Sequence, residues 1–109
     1  MKKHVMIFMT ASSVEESEKI SNALLEQRLV ACTNIVNDIK SHYWWNEKLE
    51  NAGEILIIAK SVESKIDEII SLVRKIHSYD VPEVIAIQII GGNKEYLDWI
   101  EKETSGYGQ

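Results

Sequence analysis

His77 and Glu83 form the best-matched polar pair in the chain. An imidazole and a carboxylate together suit a borderline divalent ion such as Cu(II) or Zn(II). The turn between them, through Tyr79 and Pro82, is short enough to bring the two side chains near each other. Two ligands make a poor site, so a third donor would have to come from another subunit. The pair also has a plain structural reading. His77 falls at the end of a helical pattern, where the helix dipole favours an imidazolium, and Glu83 opens a strand pattern. The other polar candidates carry less. His42 stands beside Tyr43, Trp44 and Trp45, and reads as a partly exposed strand residue before it reads as a ligand. His4 is close to the first residue, where metal binding is usually incidental. Lys60, at the end of a strand pattern, either faces an intersubunit cleft and holds an anion or is simply solvated.

Cys32 is the only cysteine, which excludes an internal disulfide and a Cys-rich zinc site. A buried, inert thiol is its default. Several enzyme signatures are missing: G-x-x-x-x-G-K-[ST], G-x-S-x-G and H-E-x-x-H. Gly91-Gly92-Asn93 before a helix could cradle an anion, but any turn and cap needs the same residues. The expectation is a protein that is not an enzyme. The 12 basic and 17 acidic residues leave a net charge of −5. A nucleic-acid surface needs a basic stripe, so this balance argues against one and mildly favours cations. No apolar run reaches membrane-spanning length. The start resembles a signal peptide only faintly, because its apolar part, Val5 to Met9, is shorter than an h-region. The expected compartment is the cytoplasm.

These residues must be positioned by about one domain's worth of elements, since the chain has 109 residues. His4–Thr10 is apolar on both faces and reads as a central strand. Ser13-x-x-Glu16 is a capping-box pattern. The helix it opens runs to about Arg28, with Ile20, Ala23 and Leu24 inward and Glu15, Glu16, Glu18, Lys19 and Glu26 facing water. Residues 31–45 are rich in strand formers, interrupted by a bend or bulge at Asn37-Asp38. After Asn46-Glu47 the chain returns as a strand over 48–61, with a kink expected at Asn51-Ala52-Gly53. Ile55, Ile57 and Ala59 point one way, Leu56 and Ile58 the other. Ser61 is expected to cap a second helix running to about His77, in which Val62, Ile66, Ile69, Val73 and Ile76 recur at helical spacing. Pro82 precedes a fourth strand over 83–90, and Asn93 caps a short third helix over Lys94–Glu103. Residues 1–104 are one domain, and 105–109 read as a frayed tail.

The order β-α-β-β-α-β-α predicts an α+β, ferredoxin-like sandwich with an extra C-terminal helix. Two helices cover one sheet face and the other face stays bare. Because strands one and three are apolar on both sides, that bare face points to an oligomer. The long hairpin points the same way. Fully paired, its arms reach roughly 40–45 Å at about 3.3 Å per residue. The helices, at about 15 residues, reach only ~22 Å. The hairpin tip, with Tyr43, Trp44 and Trp45, must project, and a projecting two-stranded hairpin is marginal alone in water.

"LVACTNI" (29–35), "YWW" (43–45), "KLE" (48–50), "HSYDVPEVIAI" (77–87) and "GNKEYLDWI" (92–100) stand in the order and spacing of the CutA divalent-cation-tolerance family, which the chain resembles from Met9-Thr10 to Ile100. The resemblance implies a ferredoxin-like subunit in a tight PII-like homotrimer, with long hairpins pairing across subunits. It also implies a response to divalent metal ions, copper among them, for which the pair read above from residue type, His77 and Glu83, are the candidates. Tyr43, Trp44, Trp45, Lys60 and Tyr79 are then expected at subunit contacts or an intersubunit pocket. Two other uses of the same trimer stay open: a PII-like sensor of a small anionic metabolite, and a structural hub for another protein. The chain departs from the family at Asn37-Asp38, Asn46-Glu47, Ser78 and Met9. Met9 stands where some members carry Cys, which removes a thiolate and leaves a thioether suited weakly to Cu(I).

Overall fold

The computed structural model describes residues 3–105; the expected tail falls outside them, except for Ser105, which ends the last helix. The elements are β1 (His4–Ala11), α1 (Val14–Glu26), β2 (Cys32–Trp45), β3 (Lys48–Val62), α2 (Ile66–Ile76), β4 (Val84–Gln88) and α3 (Lys94–Thr104). The four strands form one antiparallel sheet in the order β2-β3-β1-β4. This is the expected ferredoxin-like arrangement. No helix among the described residues is long and apolar enough to cross a membrane.

The core follows from strand alternation. Val5, Ile7 and Met9 of β1 and Ile55, Ile57 and Ala59 of β3 turn to one face. There they meet Ile20 and Leu24 of α1 and Ile69 and Val73 of α2, all buried. Helix α1 ends where Arg28 takes a left-handed φ of 55°. Leu29 N–H then bonds Leu24 O and Arg28 N–H bonds Leu25 O, a Schellman closure that usually employs glycine. Arginine keeps a use there: its guanidinium bonds the Glu103 carboxylate at 2.8 Å, tying the turn to α3.

Ser61 is a correction. It does not cap α2, because β3 stays paired with β1 as far as Val62↔His4. Ser61 Oγ instead donates to Leu29 O. A single 3-10 turn, Glu63–Lys65, leads into α2, which has no side-chain cap. The fourth strand is shorter than expected because β1 pairs it only from Met9↔Val84 to Val5↔Gln88.

The β2–β3 hairpin runs unbroken from Cys32↔Lys60 to Trp45↔Lys48 apart from one bulge, where β2 advances from Val36 to Ile39 while β3 advances from Leu56 to Glu54. Asp38 (φ 62°) is the left-handed residue in that bulge, as the Asn37-Asp38 break predicts. The expected kink at Asn51-Ala52-Gly53 is absent: these residues pair continuously with His42, Ser41 and Lys40. Asn46 and Glu47 have φ of 51° and 64°, the signature of a two-residue type I′ turn, whose twist matches the strands. The molecule's long axis is 45 Å, in line with a hairpin that outreaches the helices.

The second sheet face carries Met6 and Phe8, Leu56 and Ile58, and Ile85 and Ile87, which pair across the strands. Helix α3 packs on β3 and β1 and closes one end of this face. His4 bonds Glu101 there at 2.7 Å, and Tyr96 Oη lies 3.5 Å from Cys32 Sγ. The rest is uncovered, with Ile85 and Ile87 52% and 53% exposed.

Candidate functional site

The segment after α2 is fastened to the body by side chains. Both ring nitrogens of His77 are engaged. Nε2–H donates to Thr10 O at 2.7 Å, and Nδ1 accepts from Tyr79 N–H at 3.0 Å. Those roles require the neutral tautomer protonated on Nε2. The side chain is fully buried, and its ring lies 4.7 Å from that of Tyr79. His77 is therefore a brace, and it can ligate an ion only by giving up one of these bonds.

Glu16, which the sequence places in water, is the second brace. Its Oε1 accepts from Ser12 N–H and Ser12 Oγ–H, both at 2.9 Å, and its Oε2 accepts from Ser78 N–H at 2.7 Å. The reciprocal half of the capping box holds as expected: Ser13 Oγ accepts from Glu16 N–H. Burial by itself pushes the Glu16 carboxyl up, but the donors from Ser12 and Ser78 together outweigh it and lower its pKa to about 2. A lowered folded-state pKa contributes stability above the ordinary value of 4.5, and that contribution is lost as pH falls from there towards about 2. Glu16→Gln is accordingly expected to destabilise the protein at pH 7. Its gap from the parent in urea unfolding should narrow as pH drops from 4.5 to 2. A gap independent of pH would refute this role.

These braces aim Tyr79. Its hydroxyl donates to Glu54 Oε2 at 2.6 Å. Burial, that bond and the negative charges of Glu54 and Glu16 all raise the phenol's pKa, so it stays a donor. Between Tyr79–Glu83 and the outer hairpin lies a cleft of about 580 Å³. Thr10 and Glu54 line it from the sheet, Ser41, His42, Tyr43 and Trp45 from β2, and Asp80, Val81 and Glu83 from the loop. It contains three carboxylates and neither Lys nor Arg, which disfavours an anionic metabolite there.

The expected site residues thus divide. Glu83, Tyr43, Trp45 and Tyr79 all line the cleft. Trp44 does not. Strand alternation turns it to the opposite face, paired with Leu49, the two 72% and 65% exposed. Lys60 sits away from the cleft, with Nζ donating to Asn34 Oδ1 on β2. Met9 is wholly buried in the core and offers no thioether to an ion. Cys32 is half-buried rather than buried. The hydrogen bond with Cys32, together with burial, pushes the Tyr96 phenol up to about 12. Asn93 caps α3, accepting from Glu95 N–H at 3.1 Å, so Gly91-Gly92 is a turn into a cap. Among the described residues no three His, Cys, Asp or Glu side chains gather closely enough to hold a metal ion. Within one chain, these donors do not make a divalent-ion centre.

Glu54 is the residue sequence reasoning passed over. A signal was present: it is the single charge opening the apolar run "EILIIA". The kink expected beside it hid its place in an unbroken strand.

The chain was compared with known proteins. Residues 5–103 match the family model described as CutA1 divalent ion tolerance protein. The divalent-cation tolerance protein CutA of Archaeoglobus fulgidus is 46% identical over 99 residues, 91% of this chain and 96% of that protein. The rice protein CutA 1, chloroplastic, is 39% identical over 100 residues, 92% of this chain. The chain spans about half the length of that plant relative (56%). A solved structure described as the periplasmic divalent cation tolerance protein CutA from A. fulgidus superposes with a TM-score of 0.90 at 44% identity, covering 93% of this chain and 98% of that one. With the family's pattern matched over nearly the whole chain and its fold reproduced, this protein belongs to the CutA1 divalent ion tolerance family.

Proposed function

We propose that the protein acts in divalent-cation tolerance as a homotrimer, and that copper or another divalent ion is bound by the assembly rather than by one chain. The observation that carries the assembly is the uncovered sheet face. A soluble chain that leaves Ile85 and Ile87 half-exposed beside Phe8 and Ile58, with Trp44 and Leu49 bare at a projecting tip, has surface suited to its own copies. The family supplies the link to divalent cations. A shared metal site is what the single chain requires, because His77 is engaged and no three-donor group forms among the described residues. Glu83, exposed on the cleft rim, is the carboxylate this reading assigns to the ion.

Calorimetric titration of tag-free protein with Cu(II) tests it. Saturable binding should weaken at least ten-fold in Glu83→Ala. Binding no tighter than in a variant lacking His4 and His42 would overturn the metal role.

A further inference from the structure

Glu54 presents an electrostatic problem inside one chain. It is only 8% exposed, yet no Lys, Arg or His pairs with it among the described residues. Its one hydrogen-bond partner is the neutral Tyr79 hydroxyl, which takes Oε2. A buried carboxylate without a counter-charge is costly. Glu54 lines the cleft, whose rim adds two more carboxylates, Asp80 and Glu83.

The remaining walls narrow the choice of cation. Tyr43 and Trp45 share the Glu54 face of the hairpin, through Tyr43↔Glu50 and Trp45↔Lys48, and both stay about half exposed. Among the described residues of one chain the carboxylates do not converge as metal ligands do, so a metal ion at the Glu83 rim needs donors from a second copy, and the aromatic rings deeper along the hairpin are poor partners for a hydrated metal ion. They are good partners for an organic cation, whose charge meets the ring face while its carbon body lies on it. The volume of about 580 Å³ falls within the roughly 300–1,000 Å³ of small-molecule sites.

We infer that this cleft binds an alkylammonium or guanidinium group, with Glu54 as its buried counter-charge and Tyr43 and Trp45 as the faces it lies against. Two sources share that chemistry: a free amine, or a Lys or Arg side chain of a second copy of this chain.

Titration calorimetry of the intact protein with putrescine, spermidine and agmatine separates them from each other and from failure. The expected result is saturable binding that weakens at least ten-fold in Glu54→Gln, which keeps an acceptor for Tyr79, and several-fold in Trp45→Ala. If no amine binds but Glu54→Gln weakens self-association at least ten-fold in analytical ultracentrifugation, the cation is the neighbouring copy's side chain. Equal amine binding by parent and both variants overturns the inference. So does the absence of amine binding together with unchanged self-association of Glu54→Gln.

Discussion

The double substitution Ile85→Asp, Ile87→Asp is expected to yield a folded monomer. Both residues lie on the uncovered face of β4, and Ile85 is register-matched to Phe8, Ile87 to Met6. Neither belongs to the core beneath the helices, so circular dichroism should show an intact subunit. If a trimer covers this face, these side chains lose their remaining exposure, a gain of about 2 kcal/mol each at roughly 25 cal/mol per Å². Aspartate there removes that gain and buries a carboxylate without a partner, which costs several kcal/mol more. Six such groups per trimer leave no scope for compensation. Light scattering should report the mass of one chain at micromolar concentration. A trimer mass for the double variant would refute assembly through this face.

The largest single-residue effect on the subunit is expected at His77. His77→Ala removes a fully buried ring and strands two backbone groups, the Thr10 carbonyl and the Tyr79 amide. A lost buried bond that leaves its partner unpaired costs about 1–3 kcal/mol, and the cavity adds to it. A total loss of about 3 kcal/mol is expected in urea unfolding, in metal-free buffer with chelator present. His77→Gln can still donate and accept and should recover part of it. A residue whose sole task is to hold an ion would show no loss without the ion, and that result would return His77 to the ligand role.

What could be read beforehand was what local pattern controls. The short runs "HVMIFMT" and "EILIIA", apolar on both faces, the Asn37-Asp38 break and the Asn46-Glu47 turn specify strands, bulge and hairpin through near neighbours. The site was legible only in part because its bonds span the chain. Glu16 meets Ser78 across 62 positions, and His77 meets Thr10 across 67. The capping pattern Ser13-x-x-Glu16 sets Glu16 apart from Glu15 and Glu18, which do face solvent, but nothing local shows that its carboxylate also reaches Ser78. Ser61 failed for a related reason. A serine before a helical pattern is a good cap, but the pairing of Val62 with His4 holds the backbone extended past it. The side of the sheet taken by α3 is likewise decided by distant partners, Glu101 with His4 and Glu103 with Arg28.

The bulge at Asn37-Asp38 does more than bend a strand. It lets one chain obey two counts. The base of β2 is counted from Cys32↔Lys60 on β3, so even-numbered Asn34 and Val36 share the face of Ile58 and Leu56. The outer half is counted back from the turn, so odd-numbered Ser41, Tyr43 and Trp45 occupy that same face. The bulge absorbs the one-residue difference. Chain length at this spot is therefore free to vary by one: a residue fewer would give a regular ladder with every partner kept. The aromatic tip can thus tolerate a change of length in its own stem without any ring changing sides.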